Sequence, residues 1–235
     1  MNYKLFPVLL FGLFSFTTPS NNTTDPKIIA STSKASFESK VVSLYKNLNA
    51  NNFKLPQLES FTKALEGFYQ LKQKGLVQND ILTLIDFSLS ANSKRMWVID
   101  MTTNTVLYNT LVAHGRNSGE EFATQFSNKS ESYQSSLGFY LTGETYQGKH
   151  GLSLRLDGIE RGINDKARDR AVVIHGADYV SEQFIKQNKR LGRSQGCPAL
   201  PMELNQEIIK TIKDKSCLFI YHPSRSYKVA SKLIS

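Results

Sequence analysis

Seven short apolar runs rich in β-branched residues follow residue 80, and they constrain the fold more than any other feature of this 235-residue chain. Each run is bounded by Asn, Ser, Gly or Asp clusters, which is the pattern of strands in a sheet-rich domain. The segment from Asp100 to Thr105 is typical of a hairpin turn between two of them. The runs cover residues 81–85, 96–99, 106–112, 137–141, 152–156, 171–174 and 218–221.

Helical patterns precede these runs. Apolar residues between Phe37 and Leu48 recur mostly at three- and four-residue steps, and the same spacing returns between Leu58 and Tyr69. Gly75 stands where a helix would end in a left-handed residue. A further amphipathic helix is predicted over residues 202–212. We therefore expect an α+β, predominantly β fold, with the main domain over residues 80–235 and a small helical N-terminal layer over residues 35–79.

The N-terminus has the composition of an export signal. Lys4 precedes an apolar run over residues 5–16, and small polar residues follow over 17–20. That run is too short to span a bilayer, which needs about 20 residues, but it fits the apolar region of a secretory signal. The pattern predicts a signal peptide over residues 1–20, which would be the chain's only membrane contact, and a flexible lead-in over residues 21–34. We expect export to the periplasm or cell envelope of a bacterium.

Two cysteines must be interpreted one at a time. Cys197 and Cys217 are too few for a disulfide scaffold and lack the paired spacing of a zinc ribbon. Cys217 starts an apolar strand and is expected to be an inert core thiol. For Cys197 the alternatives are a nucleophile, a small buried hydrophobe or a bridge to Cys217. Zinc held by His150, His175 and Cys197 would lack metal-ligand spacing, so we expect no metal and no cofactor.

A histidine and a cysteine stand where a site could form. His175 ends the buried-looking run 171–174, and Cys197 follows in Arg-Ser-Gln-Gly-Cys-Pro, residues 193–198. Gly196 permits a sharp turn, so the amides of Gly196 and Cys197 could point into one concavity. A thiol nucleophile needs a base or a cation, because free cysteine has a pKa of about 8.5. Residues 183–202 contain no Asp or Glu, but they contain Lys186, Lys189, Arg190 and Arg193.

These residues resemble a known signature. A strand ending in His175 and Gly176, followed by Leu191 to Cys197 with the form SxGCP, is similar to the catalytic motif of the L,D-transpeptidases, the YkuD-type cysteine enzymes of bacterial cell walls. The resemblance covers roughly residues 80–222 and is closest to a divergent branch of the family. Gln195 departs from it, because most members have histidine there. Ala199 departs as well, because many members carry arginine at that position.

The resemblance implies a β-sandwich-like core and a mechanism. Cys197 would attack the carbonyl before the terminal D-alanine of a tetrapeptide stem of peptidoglycan, and His175 would move the proton. The acyl group would pass to an amine, giving a 3-3 crosslink, or to water, giving carboxypeptidase activity. The amides of Gly196 and Cys197 would stabilise the oxyanion, and Ser194 would assist. The partners implied are peptidoglycan stem peptides and carbapenem inhibitors, and a monomer is expected.

Further residues are predicted to bind substrate. Arg155 and Arg193 are candidates for binding substrate carboxylates through bidentate hydrogen bonds. The alternative for Arg155 is a surface ion pair with Asp157 or Glu160. His150 lies in a Gly-flanked turn and is predicted to form a pocket wall. The predicted set is completed by Tyr140 as a groove residue and by Gly176 and Gln195 beside the two catalytic positions.

Parts of the sequence are compatible with two other functions. A wall-binding module that has kept the pocket but lost catalytic activity is suggested by Gln195 and by the missing arginine at position 199. Nucleic-acid binding is suggested only by the net charge of +9. No nucleic-acid-binding motif or aromatic-basic interleaving accompanies that charge, so we expect no nucleic-acid partner.

Overall fold

The computed structural model describes residue 1 and residues 26–234. The chain divides into two compact units, Met1–Phe37 and Glu38–Ser235. The first helix, α1, spans Pro26–Lys46 and so begins inside the predicted flexible lead-in. Apart from residue 1, the predicted signal peptide lies outside the described residues. Among the residues that are described, none of the helices is long and apolar enough to cross a membrane.

Eight strands and four more helices follow α1 in the described chain. The second helix, α2 (Leu58–Gln73), precedes all the strands, and the remaining helices are α3 (Glu182–Asn188), α4 (Met202–Ile212) and α5 (Arg225–Ala230). The strands are β1 (Ile81–Asp86), β2 (Met96–Asp100), β3 (Thr105–Thr110), β4 (Gly138–Gly148), β5 (Gly151–Gly158), β6 (Val173–Gly176), β7 (Ala199–Leu200) and β8 (Cys217–Tyr221).

The strands form one hydrogen-bonded sheet in the order β3-β2-β1-β8-β4-β5-β6-β7. β1 pairs with β8 and β6 pairs with β7 in parallel, and the other neighbours are antiparallel. The predicted hairpin joins β2 to β3, and the register of β4 on β5 shifts between Thr142 and Thr145. The predicted α+β, predominantly β fold is confirmed: within residues 81–221 the chain has eight strands and only two helices.

The chain that follows β3 links the two ends of the sheet. Ala113 forms an isolated bridge with Ala199 of β7, and its N–H donates to the Ala199 carbonyl at 2.9 Å. Gly115 forms a second isolated bridge, a parallel one, with Ser194. The edge strands β3 and β7 are therefore connected by the segment after β3, which brings residues 113–121 beside the loop that carries Cys197.

α2 covers part of the sheet with an apolar face. Phe61 and Phe68 of this face are almost completely buried, and burial of each ring contributes about 1.5–3 kcal/mol. A side chain at position 67 could not fit, because a Cβ on Gly67 would lie 2.1 Å from the ring of Phe139. The helix ends as predicted, with Gly75 at a φ of +69°.

Candidate active site

Cys197 and His175 line one cavity of about 440 Å³. The parallel pairing of β6 with β7 places them there, because His175 is the partner of Ala199 and Cys197 lies two residues before Ala199. The cavity is lined by Tyr146, Lys149, His150, Ser153, Ala171, Val173, His175, Tyr179, Arg193, Ser194, Gln195 and Cys197.

The thiol of Cys197 is half-buried between backbone groups of the segment that leads into β6. Its Sγ accepts a hydrogen bond from the Val173 N–H at 3.5 Å and lies 3.7 Å from the Ala171 carbonyl oxygen. Burial raises the pKa of this thiol, and the Val173 N–H and the charge of Arg170 act in the opposite direction. The resting group is therefore a neutral thiol that needs a base.

Ser194 holds the loop that carries the thiol. Its hydroxyl accepts the Gly196 N–H at 3.0 Å and donates to the Cys197 carbonyl at 2.6 Å. Ser194 is thus placed to fix the loop rather than to assist the reaction directly. The predicted use of the Gly196 amide in an oxyanion hole is wrong for this conformation, because that donor is already bonded to Ser194. The Cys197 amide has no partner among the described residues.

Gly196 cannot accept a side chain. Its φ is +125°, and a Cβ there would lie 2.9 Å from the Gln134 carbonyl oxygen. We expect Gly196→Ala to lower the free energy of unfolding by about 1–3 kcal/mol and to displace Cys197, because the strain must be relieved within the loop. Chemical denaturation and thiol alkylation rates measure the two effects.

The matched control is Gly162→Ala. Gly162 also has a positive φ, +79°, but a Cβ there meets nothing within 4 Å. It should therefore cost less stability and leave the alkylation rate unchanged. Equal alkylation rates for Gly196→Ala and the wild type would contradict the role assigned to Gly196.

His175 is oriented by its own neighbour. Its Nδ1 lies 2.9 Å from the Gly176 carbonyl oxygen. Because a carbonyl only accepts, Nδ1 carries the proton and Nε2 remains the basic nitrogen. Burial lowers the pKa of His175, the Gly176 carbonyl opposes that shift, and the nearby His150 lowers the pKa further. A neutral imidazole with a free Nε2 is the form that can accept a proton from a thiol.

Three further predicted residues, His150, Gln195 and Gly176, lie near His175 or the cavity. The His150 ring stacks on the His175 ring with centroids 4.6 Å apart, and His150 lines the cavity as a wall, as predicted. Gln195 is exposed and also lines the cavity. Gly176 is buried, and its carbonyl orients His175, so the structure places Gly176 in a positioning role and outside the cavity that holds Cys197.

The positive charge at the thiol does not come from the acid-free window. Glu120, on the segment after β3, lies 2.7 Å from Nη1 of Arg193 and 3.0 Å from Nε of Arg190. Two of the four cations in the acid-free window are therefore paired with an acid that folding brings from elsewhere in the chain. The cation that acts on Cys197 is Arg170, which the sequence did not single out.

Arg193 is a cavity residue, but its guanidinium is already engaged. Besides Glu120, its Nη1 donates to the carbonyls of Arg116 at 3.1 Å and Gly119 at 3.2 Å. A substrate carboxylate would have to compete with Glu120 for this group.

Two predicted substrate-binding residues lie elsewhere. Tyr140 is completely buried and donates to the Ser136 carbonyl at 2.9 Å, so its prediction as a groove residue is wrong. The first six residues of β4 are buried on both faces of the sheet, and Tyr140 is one of them. Arg155 is outside the residues that line the cavity, and its Nε lies 3.0 Å from Glu144. The ion-pair alternative applies to Arg155, with Glu144 as partner instead of Asp157 or Glu160.

The structure contradicts one of the alternatives for Cys197. Both thiols are free, and Cys217 is completely buried in β8, so the bridge alternative is contradicted. Within residues 26–234, no group of three His, Cys, Asp or Glu side chains has the arrangement of a metal site. The zinc alternative for His150, His175 and Cys197 thus has no support in the geometry.

A buried pair of basic side chains supports the segment beside the Cys197 loop. Nη2 of Arg95 lies 2.7 Å from Nδ1 of His114, and Nε2 of His114 lies 3.1 Å from the Gly119 carbonyl oxygen. Burial, reinforced by the charge of Arg95, lowers the pKa of His114 to about 4. The His114 carbonyl in turn accepts the Ser194 N–H at 2.9 Å. His114, for which the sequence offered no role, is a neutral structural residue.

A family model matches most of the chain. The model described as the L,D-transpeptidase catalytic domain matches residues 54–221, which include every predicted site residue. No curated protein matches the sequence.

Solved structures similar to this chain include an L,D-transpeptidase from Mycobacterium smegmatis, at 12% identity and a TM-score of 0.37, covering 61% of this chain and 59% of that one. Another is an L,D-transpeptidase in complex with imipenem, with the same values. A third, from Xylanimonas cellulosilytica, has 11% identity and a TM-score of 0.35, covering 89% of this chain and 100% of that one. This chain spans about three fifths of the first two structures.

Proposed function

Because the chain belongs to the L,D-transpeptidase catalytic domain family, we propose that it is an exported acyltransferase in which Cys197 forms a thioester with a tetrapeptide stem of peptidoglycan. The observation that carries this proposal is that Cys197 and His175 line one cavity, with Nε2 of His175 left as the basic nitrogen. The predicted signal peptide is the reason for proposing export.

The proposed reaction has two halves. Sγ of Cys197 attacks the carbonyl carbon before the terminal D-alanine, and the thiol proton passes to Nε2 of His175. The C–N bond breaks, the amine of D-alanine leaves with that proton, and a thioester remains. An acceptor amine then attacks the thioester, gives its proton to His175, and releases the thiol, which recovers the proton. Water as acceptor would give carboxypeptidase activity.

In this scheme the Cys197 N–H is the main donor that stabilises the oxyanion. The Cys197 N–H is available, whereas the Gly196 N–H is bonded to Ser194. One donor is worth about 2.7–4 kcal/mol in other enzymes. A carbapenem would acylate the same sulfur by the same route, and the proposed inhibitor class follows from that chemistry.

The proposal is tested with muropeptides that carry tetrapeptide stems. Incubation with the purified chain should release D-alanine and give either 3-3 dimers or tripeptide stems. If the purified chain turned over no stem peptide of any length, the proposed enzymatic function would be rejected.

A non-catalytic wall-binding module remains the second candidate. It is favoured by the raised pKa of the Cys197 thiol and by the single free oxyanion donor. Binding to isolated sacculi together with no acylation of Cys197 by a carbapenem would select this alternative.

The pH dependence follows from His175. Its pKa lies below the ordinary 6.5 because the ring is buried, so the neutral base persists in mildly acidic solution. We expect the acidic limb of kcat/KM to have a midpoint below pH 6.5, with activity lost as pH falls through it. Steady-state D-alanine release measures this limb.

The stacked His150 provides the matched comparison. His150→Gln removes a ring whose positive charge disfavours protonation of His175. The acidic limb should therefore move to higher pH in this variant. A limb above pH 6.5 in the wild type would rule out the buried neutral imidazole as the base.

A further inference from the structure

Arg170 is tied to the loop that precedes β4. Its Nη1 donates to the Ser127 carbonyl at 2.8 Å and to the Ser136 hydroxyl at 2.5 Å. Its Nη2 donates to the Gln134 carbonyl at 2.7 Å and to the Ser132 hydroxyl at 3.3 Å. Four donors of the guanidinium are thus fixed, which leaves this half-buried side chain little freedom.

All four acceptors are neutral. In the described part of the chain, no carboxylate is paired with Arg170, in contrast to Arg168, which binds Glu144 and Asp157. A guanidinium held by carbonyls and hydroxyls keeps its full positive charge. That charge is available to an anion that forms nearby.

The Arg170 guanidinium lies close to the loop that carries the Cys197 thiol. A Cβ on Gly196 would lie 3.4 Å from Nη2 of Arg170, so the guanidinium packs against the residue before Cys197. The residues just after Arg170 complete the contact, because the Ala171 carbonyl and the Val173 N–H both touch Sγ. The backbone that follows Arg170 thus contacts Sγ of Cys197, and the Arg170 side chain packs against Gly196.

We propose that Arg170 is a positioning residue that holds the Gly196–Cys197 loop and supplies the positive charge that stabilises the thiolate as it forms. The inference rests on the proposed function of Cys197. A charge from Arg170 explains how the thiolate could be stabilised although position 199 carries no arginine. It is also needed because Arg190 and Arg193 are paired with Glu120.

Other charged and titratable groups face the cavity, and they set the background for a test. They are Lys149 and His150 from the β4–β5 turn, His175 from β6, Tyr179, Arg193 and Tyr146. The charge of Arg170 and the thiolate of Cys197 favour each other, which lowers the pKa of the thiol and opposes the effect of burial on the arginine.

The test measures the rate of Cys197 alkylation by iodoacetamide from pH 6 to 10. Arg170→Gln removes the charge, and the thiol pKa should rise by about one unit, the low end of the effect of a neighbouring charge. Alkylation at pH 7 should then be about tenfold slower. Arg170→Met is a second neutral variant that keeps the stem in place, and thermal unfolding establishes that each variant is folded.

Two controls separate charge from structure. Arg168→Gln removes a neighbouring arginine that pairs with Glu144 and Asp157, and its alkylation profile should match the wild type. Arg170→Lys keeps the charge but loses the paired hydrogen bonds, so the thiol pKa should stay near that of the wild type while kcat/KM for stem peptides falls.

An alkylation profile that is unchanged in both neutral variants overturns the proposal. Alkylation needs no wall substrate, so the two hypotheses fail separately. A shifted profile in an enzyme that turns over no stem peptide rejects the proposed function alone. Turnover with an unchanged profile rejects the role of Arg170 alone.

Discussion

Replacing Cys197 with alanine is expected to abolish D-alanine release, with a loss of about 10⁴-fold or more. The proposed thioester has no other sulfur to form on, because Cys217, the second cysteine, is completely buried in β8. His175 alone could activate water. Without the acyl-enzyme intermediate, however, the reaction would no longer be split into two easier steps. Assay of D-alanine from tetrapeptide stems measures the loss.

Cys217→Ala is the matched control. It removes a thiol of the same type from a strand interior, at a cost to stability of about 1 kcal/mol, and leaves the cavity intact. Activity should remain near the wild-type value. Turnover that survives in Cys197→Ala, or that disappears only in Cys217→Ala, would contradict the assignment of the nucleophile.

Replacing Arg95 with methionine is expected to lower the free energy of unfolding by about 3–5 kcal/mol, because each buried acceptor left unpaired costs about 1–3 kcal/mol. Arg95 is completely buried and donates to the carbonyls of Leu89 and Val112, and it also contacts His114. Its guanidinium lies over the ring of Phe87, 4.7 Å from the centroid. Methionine fills much of the volume but leaves these acceptors unpaired. Urea denaturation measures the change.

Arg95→Met should also affect the loop that carries Cys197. His114 connects Arg95 to the Ser194 N–H, so alkylation of Cys197 should become slower as the loop loosens. Arg161→Met is the control, because Arg161 is exposed and should change stability little. A free energy of unfolding within about 1 kcal/mol of the wild type for Arg95→Met would show that the buried network is dispensable.

The sequence predicted the elements whose signals are local. All seven apolar runs correspond to strands, and the helix over 202–212 has the predicted bounds. β7, with only two residues, and α3 and α5, with seven and six, were not predicted. α3 has no buried residue to give it periodicity, and β7 exists only because it pairs with β6 and with the segment after β3.

Pairing between distant segments explains the errors at the site. Sequence placed His175 and Cys197 together through spacing and resemblance, and both line one cavity. It could not foresee that Glu120 would neutralise Arg190 and Arg193, because that contact depends on the bridge between Gly115 and Ser194. Arg170 was missed for the same reason, since it acts through a loop more than 20 residues away in sequence.

Acylation of Cys197 is tested most directly by mass spectrometry of the protein after exposure to a tetrapeptide stem or a carbapenem. We predict a single adduct on the peptide that contains Cys197, with the mass of the stem less D-alanine or with the mass of the carbapenem. The adduct should be lost in Cys197→Ala and kept in Cys217→Ala. Absence of any adduct at Cys197 under both conditions, in a folded protein, would contradict the account.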